Sequence, residues 1–348
     1  MTAKPMRLDE LDQLPDGLLA LNSAELASHL DGPTLIHLPG EREAPLFVSV
    51  LVHGNEPVGW DAVRLLLRAY IERHGRLRLP RALSLFIGNV HAAAANARHL
   101  PDQPDFNRVW PGTDAAPSPA SALMAQVVER MAERGVFASI DLHNNTGTNP
   151  HYACVNRVDN RYLRLARLFS RTIVYFVRPT GVQSQAMSQL CPATTLECGR
   201  VGEGLGVEHA RQFIDACLHL AELPDEPLPR QDIDLFHTVA QVTIPEQVSF
   251  GFPPHEAQVV LSPDLERFNF RELPAGAAFA RVRGDGGLEV RDEHGREVTD
   301  RFFAVDDGEL KLREPVMPSM LTADATVIRQ DCLCYLMERY DHHLPHRH

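Results

Sequence analysis

The chain has 348 residues, 44% hydrophobic and 23% charged, proportions ordinary for a globular protein with room for one large core or a main domain plus an appendage. Its 34 basic and 46 acidic residues leave a formal net charge of −12, which argues against nucleic acid or an anionic membrane surface as a partner. No stretch has the length and apolarity of a transmembrane helix, and residues 1–16 lack the apolar core of a secretory signal. The six cysteines form no Cys-x-x-Cys pair, so buried thiols in a reducing cytoplasm are expected rather than a disulfide framework or a zinc knuckle.

In chain order, residues 1–32 read as a helical lead-in, with one capped helix opening at Ser23-Ala24-Glu25-Leu26 and stopping near Gly32. Pro33 to Leu38 reads as a short strand. The apolar run Leu46 to Val52 predicts a buried strand that breaks at His53-Gly54-Asn55-Glu56. Pro57 then suits the first position of an amphipathic helix carrying Val63, Leu66, Leu67 and Tyr70, with Gly75 as its stop. Ala82 to Val90 predicts a second buried strand. The polar stretch from His91 to Pro119 is long for a loop in a compact domain, which points to a functional segment.

Helix is expected over 121–134, strand over 136–142, helix over 160–170, strand over 172–177, strand over 193–196 and helix over 206–220. Strands alternating with helices imply an α/β fold, a mixed sheet with helices on both faces. Residues 221–229 read as a linker. Beyond them, turns such as Gly284-Asp285-Gly286-Gly287, Asp292-Glu293-His294-Gly295 and Asp306-Asp307-Gly308 predict a small β-rich C-terminal domain. The expected division is therefore a catalytic domain over 1–225 and a β-rich domain over 230–348 that shapes the substrate entrance. The tail from His342 to His348 reads as a disordered end, although its histidines could scavenge metal.

Ligands of open α/β sheets gather beyond the carboxyl ends of strands, and His53, His143 and Glu197 each stand at or just past such an end. His53 and Glu56, three residues apart on a tight strand-to-helix turn, can converge on one cation. Zinc accepts both donor types, and a catalytic zinc site needs only three protein ligands. Alone, the same pair is an ordinary turn histidine beside a helix-capping carboxylate. His143, two residues after Asp141, is the candidate third ligand; Asp141 could orient an imidazole from behind, or pair with the polar loop instead. Glu197 follows an apolar strand, where an unpaired carboxylate is costly; it is either ion-paired, for instance to Arg200, or positioned to move a proton. Arg98 and the run Asp105-Phe106-Asn107-Arg108 offer an anion clamp, against the simpler alternative of solvated loop residues.

His53-Gly54-Asn55-Glu56, Arg98, Asp105-Phe106-Asn107-Arg108, Asp141-Leu142-His143-Asn144-Asn145-Thr146 and Thr195-Leu196-Glu197-Cys198-Gly199 occur in an order that resembles the succinylglutamate desuccinylase/aspartoacylase family of the zinc carboxypeptidase-like superfamily. The resemblance spans roughly residues 45–220. It implies one Zn2+ per chain on His53, Glu56 and His143, and Glu197 as general base and acid. It implies Arg98 as oxyanion partner, Asn107 with Arg108 on the substrate carboxylate, and Asn144 as a further substrate contact. The implied reaction is hydrolysis of the amide of an N-acyl amino acid. The implied partner is that small molecule, with no nucleic acid, no membrane, and a homo-oligomer left open.

Two departures stand out. Ser184-Gln185-Ala186-Met187-Ser188-Gln189-Leu190 lacks the arginine that aspartoacylases carry for the substrate side chain, with Arg178 as a nearby substitute, and a bulky Trp60 follows the first motif near the expected entrance. The alternative readings are a zinc carboxypeptidase acting on small peptides and a non-catalytic metal-binding relic.

Overall fold

The computed structural model describes residues 6–284 and 287–341, so the histidine tail and the centre of the 284–287 turn lie outside the described residues. The chain divides into two compact units. One comprises the chain up to Asn144 with His151–Ile173 and Pro179–Asp234; the other comprises Asn145–Pro150, Val174–Arg178 and the chain from Leu235 onward.

The first unit carries strands β1 (Asp9–Leu11), β2 (Thr34–Leu38), β3 (Gly40–Val50), β4 (Leu79–Ile87), β5 (Ala138–Asn145, its last residue counted with the second unit), β6 (Tyr152–Val155), the first half of β7 (Thr172–Tyr175, its last two residues counted with the second unit) and β8 (Ala193–Arg200). Its helices are α1 (Val58–His74), α2 (Val90–Ala94), α3 (Pro119–Glu133), α4 (Asn160–Phe169), α5 (Gln183–Met187) and α6 (Gly204–His219). The strands lie in the order β1-β2-β4-β3-β5-β8-β6-β7. Pairings β1/β2, β3/β4 and β3/β5 are parallel, whereas β2/β4 and β6/β8 are antiparallel, so the sheet is mixed, as expected.

Helices cover both faces because the central strands are apolar on both sides. On one face Phe47 and Phe86 join Leu123, Met124 and Val127 of α3 and Trp110 in a buried cluster. On the other, α1 packs on β3 and α6, tied by the Tyr70 hydroxyl donating to Asp215 Oδ1 at 2.7 Å. Helix α1 begins one residue later than expected, with Pro57 as its cap, and ends as expected at Gly75, whose φ of 71° suits a residue without a Cβ.

The lead-in differs from its expectation. Among its described residues the only helical turns are 3-10, Leu18–Ala20 and Ser23–Ser28, the second closed by a capping box between Asn22 and Glu25. Asp9–Leu11 is instead a strand parallel to β2, too short for any periodicity to betray it. Strand β6 escaped notice for the same reason.

The second unit contains β9 (Asp234–Thr243), which begins on the last residue of the first unit, together with β10 (Phe250–Gly251), β11 (Val259–Leu261), β12 (Ala278–Val282), β13 (Glu289–Asp292), β14 (Phe303–Asp306), β15 (Glu309–Leu312), β16 (Met317–Ser319) and β17 (Cys334–Arg339). Strand β9 pairs with β13 and β17, and β10-β11-β12-β15-β14 form a separate sheet over a core that includes Phe279, Phe302 and Phe303. Two earlier segments belong with it for visible reasons. Thr148 N and Oγ1 donate to Glu266 Oε2, the Tyr175 ring stacks on His237 at 4.9 Å, and Arg178 Nε donates to the Glu293 carbonyl at 3.0 Å. The six cysteines are free and buried. Among the described residues, no helix is long and apolar enough to cross a membrane.

Candidate metal centre

Strand β3 stops because Leu51 turns to a left-handed φ of 54°, after which the chain runs through His53 to Pro57. Gly54 is required there. A Cβ on it would lie 2.3 Å from the backbone of Ala92 and Ala93, and its N–H donates to the Arg98 carbonyl at 3.0 Å. The turn is thereby tied to the loop that carries Arg98. Parallel pairing of β3 with β5 brings His143 alongside, and the Asn144 N–H donates to Glu56 Oε2 at 3.2 Å.

His53, Glu56 and His143 are 4%, 6% and 4% exposed, and each offers a ligand atom within 4.8 Å of the other two. Nδ1 of His53 lies 2.9 Å from Glu56 Oε1, and Nδ1 of His143 lies 2.7 Å from Glu56 Oε2. The far nitrogen of each ring meets an aspartate: His53 Nε2 lies 3.1 Å from Asp105 Oδ1, and His143 Nε2 lies 2.7 Å from Asp141 Oδ2. A carboxylate can only accept, so each ring nitrogen donates to the carboxylate it faces: Nε2 to Asp105 or Asp141, and Nδ1 to Glu56. A cation in place of the two Nδ1 protons would find both rings aimed at it and anchored from behind by the aspartates. The Ser49 hydroxyl donates to Asp141 Oδ1 and holds that anchor in place.

The electrostatics point the same way. Burial opposes the charge on Glu56, but His53 and His143 outweigh it and hold the carboxyl below its ordinary range. Burial likewise opposes Asp105, and His53 with Arg98 pull it well below. For His143, burial favours the neutral ring, yet Asp141 and Glu56 carry its affinity for a proton well above normal. His53 is also raised, burial and Arg98 being overcome by Glu56 and Asp105. Several carboxylates thus surround two buried imidazoles and demand positive charge between them. A divalent cation meets that demand, and two imidazole nitrogens with one carboxylate suit zinc. The residues fit the ion.

Glu197 sits on β8, 8% exposed, with Oε2 buried and without a hydrogen-bond partner among the described residues. Burial pushes its carboxyl up to about 7; His143 and His53 oppose the shift, and Glu56 and Asp141 add to it. Arg98 donates from Nε and Nη2 to Asp105 Oδ2 at 3.0 and 2.9 Å, and its Nη1 lies 3.8 Å from Glu56 Oε1, so the guanidinium reaches the ligand set.

A model of the succinylglutamate desuccinylase/aspartoacylase catalytic domain matches residues 45–223, just over half of the chain and all of these residues. The chain belongs to the succinylglutamate desuccinylase/aspartoacylase family. Members of that family are hydrolytic deacylases of acyl-amino acids. The chain is similar to the succinylglutamate desuccinylase of Chromobacterium violaceum at 20% identity and a TM-score of 0.50, covering 79% of this chain and 85% of that one. A succinylglutamate desuccinylase/aspartoacylase from Rhodobacter sphaeroides gives 16% and 0.54, covering 87% and 88%. Murine aminoacylase 3 gives 16% and 0.52, covering 86% and 96%. At these identities the likeness is one of fold. Comparison with curated protein sequences gives no match.

The remaining expected residues divide by what their side chains already hold. Arg108 Nη1 donates to the Asn107 carbonyl at 2.8 Å, and its charge helps to depress Asp105. The Asn144 amide bridges two backbone groups, accepting from Val58 N at 3.1 Å and donating to Gly199 O at 3.0 Å. Asn107 is engaged by Asp141 and by the backbone of Gln183. Arg178 belongs to the second unit. Trp60 is not at an entrance: it is fully buried and its indole N–H donates to the Leu21 carbonyl at 3.0 Å. Sequence reasoning missed Asp105 as the anchor of His53, and Ser49 and Gln183 altogether. A carboxylate seven residues after Arg98 was the available signal for the first; the other two carried none.

Proposed function

We propose that this protein is a zinc-dependent hydrolase that cleaves the amide bond of an N-acyl amino acid, with one zinc ion on His53, Glu56 and His143. The observation that carries the reading is the convergence of these three donors within electrostatic reach of the buried Glu197 carboxylate, whose Oε2 has no hydrogen-bond partner among the described residues. Zinc held there would supply a Lewis acid that polarises the acyl carbonyl and lowers the pKa of water.

The rest falls to this chain's own groups. Glu197, whose carboxyl sits near 7, takes a proton from the attacking water and returns it to the departing nitrogen. Burial raises that carboxyl from its ordinary range, which suits a group that both accepts and returns a proton. The Asp105 carboxylate occupies one edge of the Arg98 guanidinium and turns Nη1 toward the ligand set, where it stabilises the oxyanion of the tetrahedral intermediate. Arg108 takes the substrate carboxylate. Burial keeps bulk water from these charges and strengthens each interaction.

The test is a screen of N-acetyl, N-formyl and N-succinyl amino acids against zinc-loaded protein, with blocked dipeptides in parallel. Turnover of the acyl-amino acids supports the reading. Turnover of dipeptides alone supports a carboxypeptidase. No turnover of either class in zinc-loaded protein supports the non-catalytic relic.

A further inference from the structure

The ladder between the two ligand-bearing strands closes on a polar rung. Parallel pairing of β3 with β5 runs from Leu46 opposite Ala138 to Ser49 opposite Asp141. Beyond that rung β3 breaks at Leu51, whose left-handed φ carries the chain off toward His53 and Glu56, while β5 continues to His143. Ser49 and Asp141 therefore stand where the paths to the three donors diverge. Both are fully buried, and Asp141 shares a face of β5 with His143, two residues on. The Ser49 hydroxyl donates to Asp141 Oδ1 and His143 Nε2 donates to Oδ2 at 2.7 Å, so each carboxylate oxygen has its own donor.

The aspartate behind His53 is held in another way. Asp105 Oδ2 accepts from Nε and Nη2 of Arg98, at 3.0 and 2.9 Å, and its Oδ1 accepts from the Asn107 backbone N–H at 2.7 Å as well as from His53 Nε2 at 3.1 Å. Its side chain is 15% exposed, against 0% for Asp141. Arg98 fixes Asp105 and offsets part of its charge at the same time. A hydroxyl fixes a carboxylate without neutralising it, so the charge of Asp141 stays directed at the imidazole.

We infer that Ser49 is a positioning residue that sets the affinity for zinc, by holding Asp141 in the orientation that keeps the His143 ring aimed at the ion. The inference rests on the zinc reading above. Without the hydroxyl, Oδ1 is left a buried acceptor that has lost its donor, and the carboxylate gains by turning toward another one. Oδ2 turns with it, the His143 ring follows, and Nδ1 leaves the side on which Glu56 stands. The partner of a ligating histidine is worth roughly 10–100-fold in metal affinity, and Ser49, one bond further out, takes the lower end of that range.

The experiment compares zinc affinity, by competition with a chromophoric chelator, in the parent protein, Ser49→Ala, Ser49→Thr, Ser49→Val and His143→Ala, along with the visible spectra of the cobalt-substituted forms. Thermal melts of the metal-free variants follow the fold separately. Expected for Ser49→Ala are a zinc affinity lowered by roughly tenfold and shifted cobalt bands. Ser49→Thr, which keeps the hydroxyl, should match the parent in both, whereas Ser49→Val, its equal in shape, should behave as Ser49→Ala does. Alanine and valine variants with the parent's zinc affinity and cobalt spectrum, whatever their melting temperatures, overturn the inference and leave the hydroxyl a bond of the fold alone. Should Ser49→Ala not fold, threonine against valine decides: weaker zinc in the valine variant supports the inference, and equal affinity overturns it. A parent that binds no zinc, or a His143→Ala variant with the parent's affinity, brings down the metal reading and this inference together. A zinc-binding parent with indifferent Ser49 variants brings down the inference alone.

Discussion

Two buried histidines of the same sheet have similar surroundings and opposite tendencies. His37 on β2 is 5% exposed, with Ser84 Oγ 2.8 Å from Nδ1 and Glu10 Oε1 3.1 Å from Nε2. His143 on β5 is 4% exposed, with Glu56 and Asp141 on its two nitrogens. Burial and the Arg134 charge hold His37 below the ordinary imidazole range despite Glu10, whereas Asp141 and Glu56 overcome burial and carry His143 well above it. Burial therefore does not separate a structural histidine from a candidate ligand. The balance of charge around the ring does: one hydroxyl, one exposed carboxylate and a nearby arginine suit a neutral ring, whereas two buried carboxylates call for a cation.

The largest expected effect breaks the pair apart. His143→Ala abolishes stoichiometric zinc in the purified protein and, with it, turnover, while His37→Ala leaves both in place; equal zinc loss in the two variants would erase the distinction. Glu197→Gln keeps its zinc and loses roughly 10²–10⁴-fold in kcat, since an amide cannot carry the proton; steady-state rates with zinc content measured on the same sample check this. Asp141→Asn is expected to weaken zinc by roughly 10–100-fold while preserving shape, read by chelator competition.

His37→Ala leaves Ser84 and Glu10 without their partner and destabilises the fold by about 1–3 kcal/mol, measured as the change in urea midpoint at constant slope. The smallest effect is a pH dependence. His37 binds its proton less readily folded than unfolded, so its contribution is complete above the unfolded value near 6.5 and declines as pH falls through the lower folded value. Zinc-loaded parent protein should lose more stability between pH 7.5 and 5.5 than His37→Gln does, by thermal melts at both values. An equal or smaller loss in the parent would mean that His37 is not held neutral.

Much of the site was legible because its parts are local. Apolar runs that end at His53 and Glu197, and a helix framed by Pro57 and Gly75, are written in periodicity and turn chemistry, which depend on neighbours a few residues away. What supports those parts is not local. Ser49 reaches Asp141 from 92 positions away, and Gln183 meets Asn107 from 76 positions away. Nothing in the spacing of either residue announces it.

The chain's own order of residues thus determined the mixed α/β layout, the three candidate metal donors, the buried glutamate proposed to move the proton and the loop that carries Arg98. Only the folded structure decided how the second unit is assembled. It gathers 145–150 and 174–178 to itself through Thr148, Tyr175 and Arg178, against an expected break after residue 225. Tertiary packing also sent Trp60 into the core, turned Asp105 toward His53, and committed the Asn144 and Asn107 amides to protein groups. The physical reason is the same in each case. A side chain's type sets which bonds it can make, but its actual partner depends on distances that exist only after the strands have paired.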